Sequence, residues 1–209
     1  MFRLISLGIG YLFGCLQTAF FLGKIANNID IRNFGSGNAG TTNVIRVLGW
    51  KAGIITFLGD LLKAVIAVVV CRTLFPDMSL LASLYAGIGV IMGHNWPFFL
   101  KFKGGKGIAA TIGTILAVDW VVGLIVAGIL IVTLLITRYV SLGALLLTAS
   151  VPILFAIFYN GYANYFEIVG IGLLITIFAF IRHRANIKRL LSGTESKLGQ
   201  RSKKKVGDE

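Results

Sequence analysis

Long apolar runs divide the chain, and polar, glycine-bearing segments separate them. A helix that crosses a bilayer needs about 20 apolar residues. Leu4–Leu22, Ala52–Val70, Met78–Leu100, Trp120–Thr137, Tyr139–Tyr159 and Tyr162–Ile181 meet that length. Ile108–Val118 is apolar but short; at 1.5 Å per residue it covers roughly 16 Å, about half a hydrocarbon core. The pattern predicts an all-α polytopic membrane protein, a bundle of about seven transmembrane helices with one of them short. It has one domain over residues 1–182, a helical bundle with polar loops on its cytoplasmic side. Residues 183–209 read as a basic cytoplasmic tail, disordered after about 199.

Charge placement decides whether the short segment crosses. With the N-terminus outside and seven crossings, Lys24, Arg32, Arg46, Lys51, Lys101, Lys103, Lys106, Arg138 and the whole basic tail lie inside. Of the 20 basic residues, only Arg3 and Arg72 then lie outside, with Lys63 inside a span. Without the seventh crossing the tail lands outside, against the positive-inside rule. In this orientation the polar segments 34–49, 93–111 and 182–199 all face the cytoplasm. No inverted repeat of the transporter kind is visible.

Composition agrees. Of the residues 56% are hydrophobic and 13% charged, where soluble domains carry about 25% charged. Mean hydropathy is +0.87. The net charge of +12 lies beside spans, so it reads as a topology signal and attraction to anionic lipid rather than nucleic-acid binding. Cys15 and Cys71 lie in different apolar stretches and suggest neither a disulfide nor a metal site. At "LFGC" (Leu12–Cys15) Phe13 is too bulky for a lipoprotein cleavage site and the apolar run continues, so an uncleaved first span is expected.

Three segments carry candidate chemistry. In "FKGGKGIAAT" (Phe102–Thr111), glycines surround Lys106 and a helix follows. Backbone N–H groups, a helix N-terminus and an ammonium together suit a phosphate, although the P-loop spacing is absent. A basic turn placed by the positive-inside rule is the plainer alternative. "GSGNAGTTN" offers donors from Ser36, Asn38, Thr41, Thr42 and Asn43 on a mobile backbone, with Arg46 beyond for bidentate phosphate contact. Here Thr42 or Asn43 could instead cap a helix over Val44–Leu48. In "RHRANIKRLLSGTE", His183 and Asn186 share a helix face; the alternative is a lipid-binding basic tail. Asp60 and Lys63, one turn apart within a span, read either as a functional pair or as a bundle-fixing one. His94 in "GHNWP" is a further polar contact or a helix-end residue.

The segments "GSGNAGTTNVIRVLG", "GHNWPFFLKFKGGKGIAAT" and "RHRANIKRLLSGTE", in this order, resemble the three motifs of the bacterial membrane acyl-phosphate:glycerol-3-phosphate acyltransferases, the PlsY family. The resemblance extends to "DLLK" (Asp60–Lys63) and "RYVSL" (Arg138–Leu142). It implies a seven-span enzyme of the bacterial inner membrane with its tail in the cytoplasm. Such an enzyme moves a fatty acyl group from acyl phosphate to the 1-hydroxyl of glycerol 3-phosphate, giving lysophosphatidic acid and phosphate, without acyl-CoA, metal or other cofactor. Its partners are glycerol 3-phosphate, acyl phosphate, membrane lipid and the soluble enzyme that makes acyl phosphate.

Carried over by position, Ser36, Arg46, His183, Asn186 and Glu195 are catalytic. Asn38, Thr42, Asn43, His94, Lys103, Gly104, Gly105, Lys106 and Gly107 bind the phosphates or the acyl phosphate. Thr41 stands where the family commonly has Ala, and Ala110 where it has Thr, leaving Thr111 as the nearest hydroxyl. The expected arrangement has Lys106 and the amides of Gly104, Gly105 and Gly107 on one phosphate and Arg46 on another. Ser36, Asn38 or Asn43 polarise the carbonyl or the leaving phosphate, and His183 and Asn186 orient the hydroxyl. A transporter of a phosphorylated metabolite is the rival reading, and a lipid-binding scaffold the third.

Overall fold

A computed structural model describes residues 1–200; the expected disorder of the tail falls, from Arg201 on, outside the described residues. All regular structure in that range is helical: α1 Phe2–Cys15, α2 Thr18–Asn27, α3 Thr41–Leu48, α4 Trp50–Leu74, α5 Ser79–Asn95, α6 Ile108–Val118, α7 Trp120–Thr137, α8 Val140–Phe158 and α9 Tyr165–Leu191. Six units are long and apolar enough to span a membrane, with α1 and α2 together forming the first, and α6 is the shorter apolar helix.

The first span is not the single helix expected over Leu4–Leu22. It breaks at Leu16 and Gln17, whose backbones are extended. A break exposes carbonyls that lipid cannot satisfy, so it persists only where protein supplies donors. Here the Lys63 ammonium donates to the carbonyls of Gly14 (3.1 Å) and Leu16 (2.6 Å). The fully buried Gln17 side chain donates to the carbonyls of Gly14 (3.3 Å) and His94 (3.0 Å).

α1 and α5 touch backbone to backbone. Gly10 and Gly14 on one helix, and Gly89 and Gly93 on the other, recur at four-residue steps. A methyl group at any of them would run into a carbonyl of the partner helix, of Ala86, Val90, Leu7 and Tyr11 respectively. Small residues at this spacing let membrane helices approach closely and gain dispersion contact where lipid offers no hydrophobic drive. The larger side chains fill a second region. Leu84, Ile88 and Ile91 of α5 join Ile112 and Ile115 of α6, Val122 and Val126 of α7, Leu147, Val151 and Phe155 of α8, and Ile168, Ile171 and Ile175 of α9.

The short α6 ends inside this packing. Its last carbonyls need partners, and Arg72 of α4 donates to those of Ala117 (2.6 Å) and Val118 (3.1 Å). Asp119 alone links α6 to α7, and its carboxylate caps α7 through the N–H groups of Val121 and Val122. α9 runs unbroken across the 182/183 boundary drawn from hydropathy. Ala179, His183 and Asn186 step along its buried face, so the polar end of the helix is part of the bundle.

Candidate functional site

Three segments distant in sequence meet around one cavity of about 1470 Å³. The first, residues 28–40, follows α2. Asn28 closes that helix in a left-handed conformation, and Asp30 caps a 3-10 turn at Ile31–Asn33. The loop then winds around Asn43. Its side-chain oxygen accepts from the Ser36 N–H (2.8 Å), and its amide donates to the carbonyls of Ile31 (3.2 Å) and Phe34 (3.0 Å). Gly35 is needed there: it has φ +59°, and a side chain would strike the Asn43 oxygen.

This arrangement corrects two expectations. The N-cap of α3 is Gly40, not Thr42 or Asn43. Both hydrogens of the Asn43 amide are committed inside the loop, so Asn43 shapes the site rather than donating to a substrate. Ser36 is left exposed at the cavity edge, and Asn38 and Thr42 also line it. Arg46, on α3, is half-buried and has no hydrogen bond or ion pair among the described residues. Burial pushes its guanidinium below the ordinary value, with Glu195 opposing and Arg189 adding to the shift.

The glycine segment is also fixed. Gly104 N–H donates to the Asn95 carbonyl (3.2 Å) and Gly105 N–H to the His94 carbonyl (3.0 Å). Arg182 of α9 donates to the carbonyls of Gly105 (2.9 Å) and Gly104 (2.8 Å). From the other side Arg32 donates to those of Leu100 (3.0 Å) and Lys103 (3.1 Å). The expectation that the Gly104 and Gly105 amides cradle a phosphate is therefore corrected, because both already have carbonyl partners. The open donors are the next ones. Gly107 has φ +78° and caps α6, and the first N–H groups of a helix have no partner within it. Thr111, the hydroxyl nearest the Ala110 departure, is spent on the Gly107 carbonyl (2.9 Å). The Lys103 side chain is exposed, at the rim of the cavity.

Lys106 reaches across to the side-chain oxygen of Asn186. Asn186 in turn donates to Glu195 Oε1 (2.6 Å), which also accepts from Ser141 (2.8 Å), while Arg189 donates to Glu195 Oε2 (2.7 Å). Burial opposes ionisation of Glu195, but the hydrogen bonds from Asn186, Ser141 and Arg189 outweigh it and hold the carboxyl below its usual range. His183 is buried, and its Nδ1 lies 2.8 Å from the Ala179 carbonyl. A carbonyl only accepts, so Nδ1 carries the proton and Nε2 keeps a lone pair. Asp60, Lys63 and His94 form a separate buried cluster. Lys63 Nζ is 2.9 Å from Asp60 Oδ1 and 2.9 Å from His94 Nδ1, and Asp60 and His94 line the cavity floor. Among the described residues, no three His, Cys, Asp or Glu side chains gather as metal ligands.

Arg46, Lys106, Arg182 and Arg189 thus line one cavity that Glu195 only partly neutralises. The same cavity has an apolar lining from Phe57, Ile108, Ala109, Leu130, Val140 and Ala144. Such a chamber suits phosphate groups beside a hydrocarbon chain. Arg32, Arg182, Arg189 and Ser141 were not marked by sequence reasoning. In a basic cytoplasmic segment an arginine that clamps a loop looks like one placed by topology.

Burial, with Arg189, Arg182 and Arg46 adding to it and Glu195 opposing, pushes the Lys106 ammonium down to about 8. An anion is held only by the protonated form. With a free-protein pKa near 8, kcat/KM for a phosphorylated substrate falls as pH rises through that value, by up to tenfold per pH unit. Lys106→Arg moves this alkaline limb out of range, which a pH–rate profile of the two proteins checks.

The sequence model of the glycerol-3-phosphate acyltransferase family matches residues 4–193. A glycerol-3-phosphate acyltransferase of a Thermoanaerobacter species is 46% identical over 97% of this chain and 98% of its own. One from Clostridioides difficile is 44% identical over 92% of this chain and 94% of its own. The crystal structure of PlsY (YgiH), an integral membrane glycerol 3-phosphate acyltransferase, in its glycerol 3-phosphate form, superposes with a TM-score of 0.83 at 34% identity, covering 94% of this chain and 96% of that one. Its lysophosphatidic acid form gives 0.81 at the same identity.

Proposed function

The chain belongs to the glycerol-3-phosphate acyltransferase family, and from that premise we propose that its acyl donor is acyl phosphate. The products are then lysophosphatidic acid and inorganic phosphate. The observation that supports this reading is the mixed lining of one cavity: Arg46, Lys106, Arg182 and Arg189 against the carboxylates of Glu195 and Asp60, together with a hydrocarbon surface from Phe57, Ile108, Leu130, Val140 and Ala144. A membrane-borne acyl phosphate presents one phosphate and one chain, and glycerol 3-phosphate presents the second phosphate. Two phosphates need more positive charge than one, and no observation now favours a transporter.

The amides that open α6, at Gly107 and Ile108, sit beside the apolar lining and take the donor phosphate. Arg46 and Lys106 take glycerol 3-phosphate. Ser36, with Asn38 and Thr42 near it, supplies neutral donors to the carbonyl or the leaving group. Asn186, held by Lys106 and Glu195, and the Nε2 lone pair of His183 receive the substrate hydroxyl and aim it. Acyl phosphate is a mixed anhydride with a good leaving group, so alignment supplies much of the acceleration.

Purified protein given acyl phosphate and labelled glycerol 3-phosphate is expected to form labelled lysophosphatidic acid. Product from acyl-CoA and none from acyl phosphate would overturn the donor assignment. The membrane is the bacterial inner membrane, with the N-terminus outside, the tail inside, and a soluble acyl-phosphate-forming enzyme as the supplier. Cysteines introduced at Asp77 and Lys197 test the orientation with an impermeant reagent in intact cells. Asp77→Cys is expected to react and Lys197→Cys to be protected. Labelling of position 197 from outside would overturn the seven-crossing topology.

A further inference from the structure

Asp60, Lys63 and His94 are at most 5% exposed and belong to helices long and apolar enough to span a membrane, where ionisable groups are expensive to keep. The Lys63 ammonium lies against the carbonyls of Gly14 and Leu16, Asp60 Oδ1, and His94 Nδ1 at 2.9 Å, close enough that Nδ1 must turn a lone pair rather than a proton toward it. An ammonium only donates. His94 Nδ1 is therefore the acceptor. Its other neighbour, Asp60 Oδ1, is 3.6 Å away, too far for Nδ1 to be donating there instead. Thr18 holds the same carboxylate oxygen from α2 at 3.0 Å. With Nδ1 occupied by a donor, the imidazole proton sits on Nε2.

That Nε2–H has no hydrogen-bond partner among the described residues, and the side chain lines the cavity. Its position is given by Gly105, where a side chain would strike both His94 Nε2 and the Ala39 carbonyl. Nε2 thus lies at the seam between the first loop and the glycine segment. It is beside the anchored Gly104–Gly105 turn and one residue from Lys106. The two histidines of the chain face this cavity in opposite states: His183 offers a lone pair and His94 offers a proton.

We propose that Asp60 and Lys63 are positioning residues that fix the His94 tautomer, and that His94 is a catalytic residue donating a hydrogen bond to an oxygen of the acyl donor. The inference rests on the acyl-transfer reading above. In the step it serves, the substrate hydroxyl oxygen bonds to the acyl carbon. The bond from that carbon to the phosphate oxygen breaks, its electron pair leaves with phosphate, and phosphate takes the hydroxyl proton. His94 gains and loses no proton. It steadies the negative charge that builds on the carbonyl or phosphate oxygen.

Two substitutions separate this role from simple support of the bundle. The amide nitrogen of glutamine reaches about where Nε2 lies, and asparagine reaches only to about Nδ1. His94→Gln is expected to keep roughly a tenth or more of wild-type kcat. His94→Asn is expected to lose about a hundredfold or more in kcat with little change in KM for glycerol 3-phosphate. The reverse order would mean that the link to Lys63 is what matters, and it overturns the proposal.

A second measurement needs no variant at His94. With two histidines in the chain, ¹⁵N imidazole spectra are assigned by difference through His183→Gln. The wild type should show His94 protonated on Nε2 alone, and Lys63→Met should release it into a mixture of tautomers. A proton on Nδ1, or an imidazolium, overturns the relay whatever the activity. Failure of the wild type to use acyl phosphate overturns the donor assignment and leaves the tautomer result standing.

Discussion

Lys106→Ala is expected to raise KM for glycerol 3-phosphate by roughly two orders of magnitude while the protein still inserts and folds. Truncating one partner of a buried charged contact costs about 2–5 kcal/mol, and each 1.4 kcal/mol is about tenfold. Lys106 is part-buried, it is the one glycine-segment lysine that reaches across to α9, and its partner Asn186 is tied to Glu195. Its loss removes a charge and frees Asn186. Lys106→Arg keeps the charge and should lose less. Steady-state kinetics with both substrates varied check this, and an unchanged KM for glycerol 3-phosphate would remove Lys106 from that phosphate.

His183→Gln is expected to lower kcat/KM by at least about a hundredfold, chiefly through KM, with the shape of the pH–rate profile kept. The reason lies in the donor. Acyl phosphate carries its own leaving group and, once cleaved, its own proton acceptor. A neutral imidazole locked by the Ala179 carbonyl then needs only to accept and aim the hydroxyl. If the imidazole instead takes the proton, the same substitution should leave binding intact and cost on the order of 10²–10⁴ in turnover, and the acid limb of the profile should vanish. Separate measurement of kcat and KM across pH distinguishes the two.

The site residues were partly legible in the sequence because their chemistry is local. Lys106 among glycines before an apolar helix reads as a phosphate cradle from a dozen residues. His183 and Asn186 share a face by helical spacing alone, and both are buried in the fold. Their meeting with Lys106 is not local. It requires α9 to continue past the hydropathic end of the last span and to lie against the glycine segment, which Arg182 then clamps.

Glycines misled where their two uses look alike in sequence. Gly104 and Gly105 suggest free amides, but the tertiary structure uses both N–H groups on the end of α5 and leaves the start of α6 open. Asn43 read as a substrate donor because nothing in the sequence says which polar side chain a loop will wind around.

The sequence by itself determined the class of fold, the bounds of α6 and α7, and the grouping of the polar segments. Apolar run length against bilayer thickness, and the sign of flanking charge, act on each segment independently of its neighbours. The tertiary structure alone decided the break at Gln17, the carbonyls that Lys63 satisfies there, the arginine clamps and the meeting of Asp60, Lys63 and His94. Each of these depends on which donor meets which acceptor across residues far apart in the chain. In a low-dielectric interior an unpaired polar group is costly, and hydropathy carries no information about the partner.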